Sequence, residues 1–175
     1  MDLLKVLMDS AGGSSAAQLG SQFGLDSAAT SKVLGQLLPA LGQGLQNNSR
    51  SAGGLDSLMK GLQAGNHQQY LNNPQALQDP ATIADGNGIL GHILGSKDAS
   101  RNVAAHAAQE SGVDASVIKK MLPLVAAMAM GALSKQTNSG RRLQDDGGGL
   151  LGSLLDSNQD GQVLDDVINL AKKLF

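Results

Sequence analysis

Hydrophobic residues along this chain recur three or four positions apart, the spacing that places side chains on one face of an α-helix. The clearest case follows Asp26 and Ser27, either of which can cap a helix. Its apolar face consists of Val33, Leu34, Leu37, Leu38 and Leu41. Pro39 lies inside this pattern, so we expect the helix to kink there.

The same periodicity predicts helices on both sides of this one. We expect them over residues 2–9, 15–23, 55–62, 91–94, 100–111 and 115–133. Residues 47–54 are polar and are expected to form a linker. The segment from Gly65 to Pro80 is expected to form short turns and caps, because each of its two prolines disfavours a helical residue before it. We divide the chain into a helical domain (1–136), a glycine-rich linker (137–149) and a C-terminal segment (150–175).

Two stretches within the helical domain resemble each other. Residues 16–26 can be aligned with residues 104–114, and each copy has a glycine followed two positions later by an aspartate. A helix with a Leu-Pro pair follows both copies, and the two glycine-to-proline spacings differ by four residues, about one helical turn. We therefore expect two pseudo-repeated helical halves.

Composition favours an all-α fold. Hydrophobic residues make up 41% of the 175 residues, but aromatic residues only 2%, namely Phe23, Tyr70 and Phe175. The core must therefore consist of aliphatic side chains, methionine and alanine, whereas a sheet would be enriched in β-branched and aromatic residues. The fold class we expect is all-α, a compact multi-helix domain with a C-terminal loop-helix.

Charge and cysteine content restrict the possible partners. The chain has 13 basic and 15 acidic residues, a net charge of −2, and no cysteine. Without a basic patch or tail, nucleic acid is disfavoured as a partner. The N-terminus lacks the long apolar core of a signal peptide, so a cytoplasmic location is expected. The longest apolar run, residues 121–133, is shorter than the roughly 20 residues that span a bilayer, so we expect no membrane span.

The C-terminal segment contains a pattern typical of a calcium-binding loop. Oxygen-bearing side chains occupy its first, third and fifth positions, a glycine follows, and the next residue would offer a backbone carbonyl. The candidate metal ligands are Asp156, Asn158, Asp160, Gln162, Asp165 and Asp166. This predicts a calcium site, and the pattern is similar to half of an EF-hand or to a dockerin-like repeat.

The closing ligand of this loop is ambiguous. Position twelve, where a bidentate glutamate usually completes the site, is Val167, and Asp165 and Asp166 lie just before it. A shortened loop could use either aspartate. The alternative is an Asx-turn that caps the last helix with acidic residues.

Two further motifs evoke nucleotides or nucleic acids. Gly86, Gly88 and Gly91 match a dinucleotide-binding fingerprint, but no apolar strand precedes them, so we interpret them as turn and helix-entry glycines. Residues 15–41 evoke a DNA-binding helix-turn-helix. The candidate recognition helices offer few cations, Lys32 in one copy and Lys119 and Lys120 in the other.

The chain resembles the bacterial DUF937 family, also called YidB-like. The resemblance rests on residues 24–26 (Gly-Leu-Asp), residues 37–41 (Leu-Leu-Pro-Ala-Leu) and residues 85–95, which include Gly-Asn-Gly-Ile-Leu-Gly. It covers residues 1 to about 136. It implies a soluble, compact helical domain of bacterial origin, and it implies no catalytic residues.

The sequence nominates no catalytic site and no cofactor other than calcium. Its histidines, at positions 67, 92 and 106, have no metal-ligand spacing, and no pair of carboxylates is marked for acid–base work. The expected function is a non-enzymatic interaction or assembly module that binds a protein partner or a second copy of itself. The alternative is a DNA-associated regulator that uses the helix-turn-helix-like units.

Overall fold

The computed structural model describes residues 14–137. They form seven α-helices and one 3-10 helix. The helices are α1 (Ser14–Gln22), α2 (Ser27–Arg50), α3 (Gly54–Ala64), α4 (Gln69–Asn72), α5 (Pro80–Leu94), α6 (Lys97–Ser111) and α7 (Ala115–Gln136). The 3-10 helix (Pro74–Gln78) lies between α4 and α5. The all-α class is confirmed.

Helix α7 is the centre of the fold. Every residue from Met121 to Ser134 is buried, and helices α2 to α6 all contact it. A helix that is apolar on all sides needs such surroundings, because it has no polar face to turn toward water.

The apolar character of α7 also meets the criterion for a membrane span. Among the described helices, only α7 is long and apolar enough to cross a bilayer, judged by length and composition, and 78% of its most apolar window is buried in the fold. The helix has 22 residues because it continues through Pro123, beyond the apolar run over residues 121–133.

The two similar stretches form the same local structure. In each, a glycine with positive φ ends a helix: Gly24 at +69° and Gly112 at +75°. An aspartate then caps the following helix. Asp26 accepts a hydrogen bond from the Ala29 amide and Asp114 from the Ser116 amide. The units α1–α2 and α6–α7 therefore use one construction: left-handed glycine, aspartate cap and long proline-containing helix.

Most of the predicted helices are confirmed with small shifts at their ends. All five residues of the apolar face predicted for α2 are buried. Helix α2 continues through Pro39 to Arg50, so the linker predicted over residues 47–54 is shorter than expected. The segment between Gly65 and Pro80 contains α4, the 3-10 helix and turns, as its prolines indicated.

The prediction for α5 was wrong at its start. A helix was expected only from Gly91, with glycine turns before it, but α5 begins at Pro80 and passes through Gly86 and Gly88 without a break. Asp79 caps it by accepting a hydrogen bond from the Ala81 amide, and Pro80 occupies its first turn. Packing against α7 outweighs the poor helix propensity of these glycines.

Several predictions fall outside the described residues. These are the helix over residues 2–9, nearly all of the linker over 137–149, and the C-terminal segment over 150–175 with its calcium loop.

Candidate functional site: an apolar cavity above a buried histidine

A cavity of about 460 Å³ opens between helices α2, α3 and α5. Its walls are mainly aliphatic, formed by Leu45, Leu58, Ile89, Ile93 and Met130. Asp85, on α5, is the one formally charged side chain among the described residues that line it. A concave apolar site of this size with few polar groups is typical of ligand and side-chain binding sites.

His67 lies at the polar end of this cavity, in the loop between α3 and α4. The residue is only 6% exposed. Two glycines make room for it. A Cβ atom on Gly65 would lie 2.0 Å from His67 Nε2, and one on Gly131 would lie 2.6 Å from the His67 carbonyl oxygen. Any larger residue at either position would displace the histidine.

The hydrogen bonds of His67 determine its neutral tautomer. Its Nε2 atom lies 2.8 Å from the carbonyl oxygen of Gly61. A carbonyl only accepts hydrogen bonds, so Nε2 must carry the proton and Nδ1 of the neutral ring is an acceptor. Nδ1 is buried and has no hydrogen-bond partner among the described residues.

The neighbour of this nitrogen is a carboxylate, which is also an acceptor. Asp85 Oδ2 lies 3.5 Å from His67 Nδ1, and it accepts a hydrogen bond of 2.6 Å from the Tyr70 hydroxyl. Asp85 Oδ1 accepts no hydrogen bond from any described residue. While the imidazole is neutral, His67 Nδ1 and Asp85 Oδ2 are therefore two neighbouring acceptors at the end of the cavity, with no proton between them.

Local structure places these three side chains together. The Tyr70 amide donates to the His67 carbonyl, so both rings lie on one turn, with ring centroids 6.1 Å apart. Asp85 lies in the second turn of α5, which the Thr82 hydroxyl fixes to the 3-10 helix by donating to the Ala76 carbonyl. Helices α4 and α5 both pack on α7 and so bring the tyrosine and the aspartate together.

The environment of Tyr70 holds its proton tightly. Burial, followed by the hydrogen bond to Asp85 and the negative charge of that carboxylate, raises the pKa of Tyr70 from an ordinary 10.0 to about 12. Each cause disfavours the phenolate, since the anion would be poorly solvated and would face a second negative charge.

Tyr70 is the only tyrosine and tryptophan is absent, so absorbance reports this residue alone. We expect a spectrophotometric midpoint near pH 12 in the folded protein, and an ordinary one in denaturant. The raised pKa means that the folded state retains a proton which the unfolded state loses. The free energy of unfolding should therefore fall as the pH rises from about 10 to about 12.

An Asp85→Asn variant supplies the control for this titration. It should lower the Tyr70 midpoint in the folded protein, because the carboxylate charge is removed while burial is kept. A folded wild-type midpoint equal to the denatured one would show that Tyr70 and Asp85 are not in contact.

A second cavity, of about 600 Å³, lies where α5, α6 and α7 meet. Three basic residues line it, Lys97, Arg101 and Lys119. Arg101 is already paired with Asp98 on the exposed surface at 2.9 Å, which reduces the positive charge available to an anion.

The glycines of the dinucleotide fingerprint serve packing. Gly86 is buried against α7, where an added Cβ would lie 2.1 Å from the Pro123 carbonyl oxygen. Gly88 and Gly91 are exposed on the same helix, and nothing lies within 4 Å of a Cβ placed on either. The helix runs through all three glycines, so their interpretation as turn and helix-entry residues was wrong, and no loop forms at these positions to cradle a phosphate.

The helix-turn-helix interpretation meets a geometric difficulty in its second copy. Lys119 and Lys120 are exposed in the first turns of α7, but everything from Met121 to Ser134 is buried. A recognition helix has to present one face to the DNA groove. In the first copy, Lys32 is exposed on α2.

The structure does not test the predicted metal site. Its six candidate ligands, Asp156, Asn158, Asp160, Gln162, Asp165 and Asp166, all lie outside the described residues. Within residues 14–137, no group of three or more histidine, aspartate or glutamate side chains is arranged to hold a metal ion.

Sequence reasoning missed the cluster of His67, Tyr70 and Asp85. Its one sequence signal is the spacing of three between His67 and Tyr70, which places them on one side of a helical turn. No pattern links either residue to Asp85, which follows fifteen positions after Tyr70.

Comparison with known proteins places this fold in a family. The model of DUF937, described as a bacterial protein of unknown function, matches residues 5–136. The chain belongs to this family. No curated protein and no solved structure matches the chain. The matched region coincides closely with the helical domain and includes the whole cavity, so the cavity is a feature of the DUF937 part of the chain.

Proposed function

We propose that this DUF937 protein is a non-enzymatic interaction module of the YidB-like type. In this proposal the helical domain binds side chains of a protein partner in the cavity between α2, α3 and α5. The C-terminal segment adds a calcium-binding loop, and the protein acts in the cytoplasm without spanning the membrane.

The observation that carries this proposal is the cavity itself. Its volume of about 460 Å³ exceeds that of one large side chain, and its walls are aliphatic. The remaining described surface offers little else for apolar contact, since Ile83 is the one large hydrophobic side chain described as exposed. A partner would gain most of its binding energy by inserting apolar side chains into the cavity.

The orientation of His67 supports binding over catalysis. In a nucleophilic triad, an acidic residue holds one imidazole nitrogen and the other faces the nucleophile. Here Nδ1 faces Asp85, but Nε2 is bonded to the Gly61 carbonyl at 2.8 Å. The nitrogen that would activate a nucleophile is occupied by the backbone.

A cavity-filling variant tests this proposal. Gly88 lines the cavity and has open space at its Cβ, so Gly88→Leu should fill the site without disturbing the fold. Gly91→Leu is the matched control, because it is on the same helix, has equally open space and lines the second cavity instead of this one.

Proteins that wild type retains from a bacterial lysate should be identified and purified, and their affinities then measured by calorimetry. We expect Gly88→Leu to weaken binding of the true partner by at least about tenfold and Gly91→Leu to leave it unchanged. Equal binding by all three proteins would place the interface elsewhere.

For the C-terminal loop we expect calcium binding of modest affinity, on the order of micromolar to millimolar, because few carboxylates are available and the closing ligand is displaced. Calorimetric titration of the full chain should give heat that is lost in the Asp156→Ala/Asp160→Ala double variant. Absence of heat at millimolar calcium in the wild type would favour the alternative, an Asx-turn that caps the last helix.

A further inference from the structure

At the polar end of the cavity, His67 Nδ1 lacks a hydrogen-bond donor while the imidazole is neutral. His67 Nδ1 and Asp85 Oδ2 are both acceptors in the neutral-imidazole state, and they lie 3.5 Å apart. Tyr70 supplies one donor to Asp85, whose 40% exposed side chain is also open to water, so the buried acceptor without a partner is His67 Nδ1. A buried polar atom without a partner is costly, and a ligand that satisfies it gains that free energy.

The charges around the cavity favour a cation. Asp85 is the one formally charged lining residue described, and its side chain is 40% exposed, so a ligand can reach it. No lysine or arginine is among the described lining residues.

The walls of the cavity indicate which chemical group should be attached to the cation. Leu58, Ile89 and Ile93 provide an aliphatic surface beside the carboxylate. An aliphatic chain that ends in a primary ammonium group matches both parts, because the chain fills the apolar volume and the ammonium has three protons to donate. A quaternary ammonium has no N–H donor, so it cannot satisfy these acceptors.

We propose that this cavity is a binding site for an aliphatic primary ammonium group. The ammonium donates to the exposed carboxylate of Asp85. His67 Nδ1 is buried in the unliganded protein, and it accepts a second proton once that carboxylate has turned toward the ligand. The group can belong to a free amphiphilic amine or to a lysine side chain of a protein partner. This rests on the proposed function, since it names the chemistry that the same cavity would recognise.

The test is a calorimetric titration of the full chain with three probes of equal length: hexylammonium, hexanol and hexanoate. We expect hexylammonium to bind at least about tenfold more tightly than hexanol, because the ammonium adds an ion-pair attraction to the hydrogen bond that either probe can donate to the Asp85 carboxylate. Hexanoate should bind most weakly, since its charge repels Asp85.

Three variants test whether the preference for hexylammonium arises in this cavity. Asp85→Asn, which keeps the side-chain shape, should abolish the preference for the amine over hexanol. Gly88→Leu should reduce binding of both probes, and Gly91→Leu should have no effect. Far-ultraviolet circular dichroism confirms that each variant is folded.

The outcomes separate this inference from the proposed function. Equal affinity of wild type for hexylammonium and hexanol would overturn the ammonium site and leave an apolar binding cavity. Failure of all three probes to bind at millimolar concentration would overturn both. The comparison needs only the wild-type protein, so it stands even where a variant does not fold.

A second pair of probes distinguishes the two sources of the ammonium group. A short acetylated peptide with lysine between two leucines is compared with the same peptide containing norleucine in place of lysine. Tighter binding of the lysine peptide than of both the norleucine peptide and hexylammonium indicates a protein partner. Tighter binding of hexylammonium than of the lysine peptide indicates a free amine.

Discussion

Replacing Gly86 by alanine is expected to lower the free energy of unfolding by about 2 kcal/mol, a typical cost of overpacking a core. The new Cβ would lie 2.1 Å from the carbonyl oxygen of Pro123 and 2.6 Å from its carbonyl carbon. Both are backbone atoms of the central helix, so no side chain can rotate away. Helices α5 and α7 would have to separate, which would disturb the most extensive helix contact of the fold.

Gly88→Ala provides the control in the same helix. Nothing lies within 4 Å of its added Cβ, so only the backbone effect of alanine remains, and we expect a gain of about 0.5–1 kcal/mol. Urea unfolding followed by far-ultraviolet circular dichroism measures both variants. If Gly86→Ala proves as stable as Gly88→Ala, the close approach of α5 to α7 is incorrect.

These two glycines show why the start of α5 could not be predicted from sequence. Locally, three glycines and an asparagine within six residues indicate a break in the helix. The reason for Gly86 lies in Pro123, which is distant in the chain and supplies the backbone surface that the glycine meets. Only the folded arrangement distinguishes a glycine needed for packing from one that ends a helix.

The sequence was sufficient to predict those features whose structure depends only on neighbouring residues. The caps at Asp26 and Asp114 involve residues only two or three positions apart, and the left-handed glycines before them follow from steric limits on one residue. The apolar face of α2 follows from its periodicity, because every residue of that face contacts the same core. The two similar units could therefore be recognised before the fold was known.

The candidate site was not predictable in the same way. Its chemistry depends on the 3.5 Å separation of His67 Nδ1 and Asp85 Oδ2, and on the Gly61 carbonyl that fixes the histidine tautomer. These residues come from two helices and the loop between α3 and α4, and their contact depends on how those elements pack on α7. Taken singly, each resembles an ordinary polar residue.

Leu124→Ala in the central helix is expected to lower the free energy of unfolding by about 2–5 kcal/mol. Leu124 is fully buried, and the helix around it is enclosed on all sides, so the surrounding side chains have little freedom to fill the void. The loss combines the transfer free energy of the removed atoms with the cost of the cavity that remains.

This variant also tests the role of α7, whose length and composition would suit a membrane span. A core helix predicts that the wild-type protein unfolds cooperatively in urea without detergent, and that Leu124→Ala shifts the midpoint strongly downward. Lys120→Ala, one turn earlier on the exposed surface, should change stability by no more than about 0.5 kcal/mol. If α7 instead crossed a bilayer, the wild type would require detergent to remain in solution, and a leucine facing lipid could become alanine at little cost to packing.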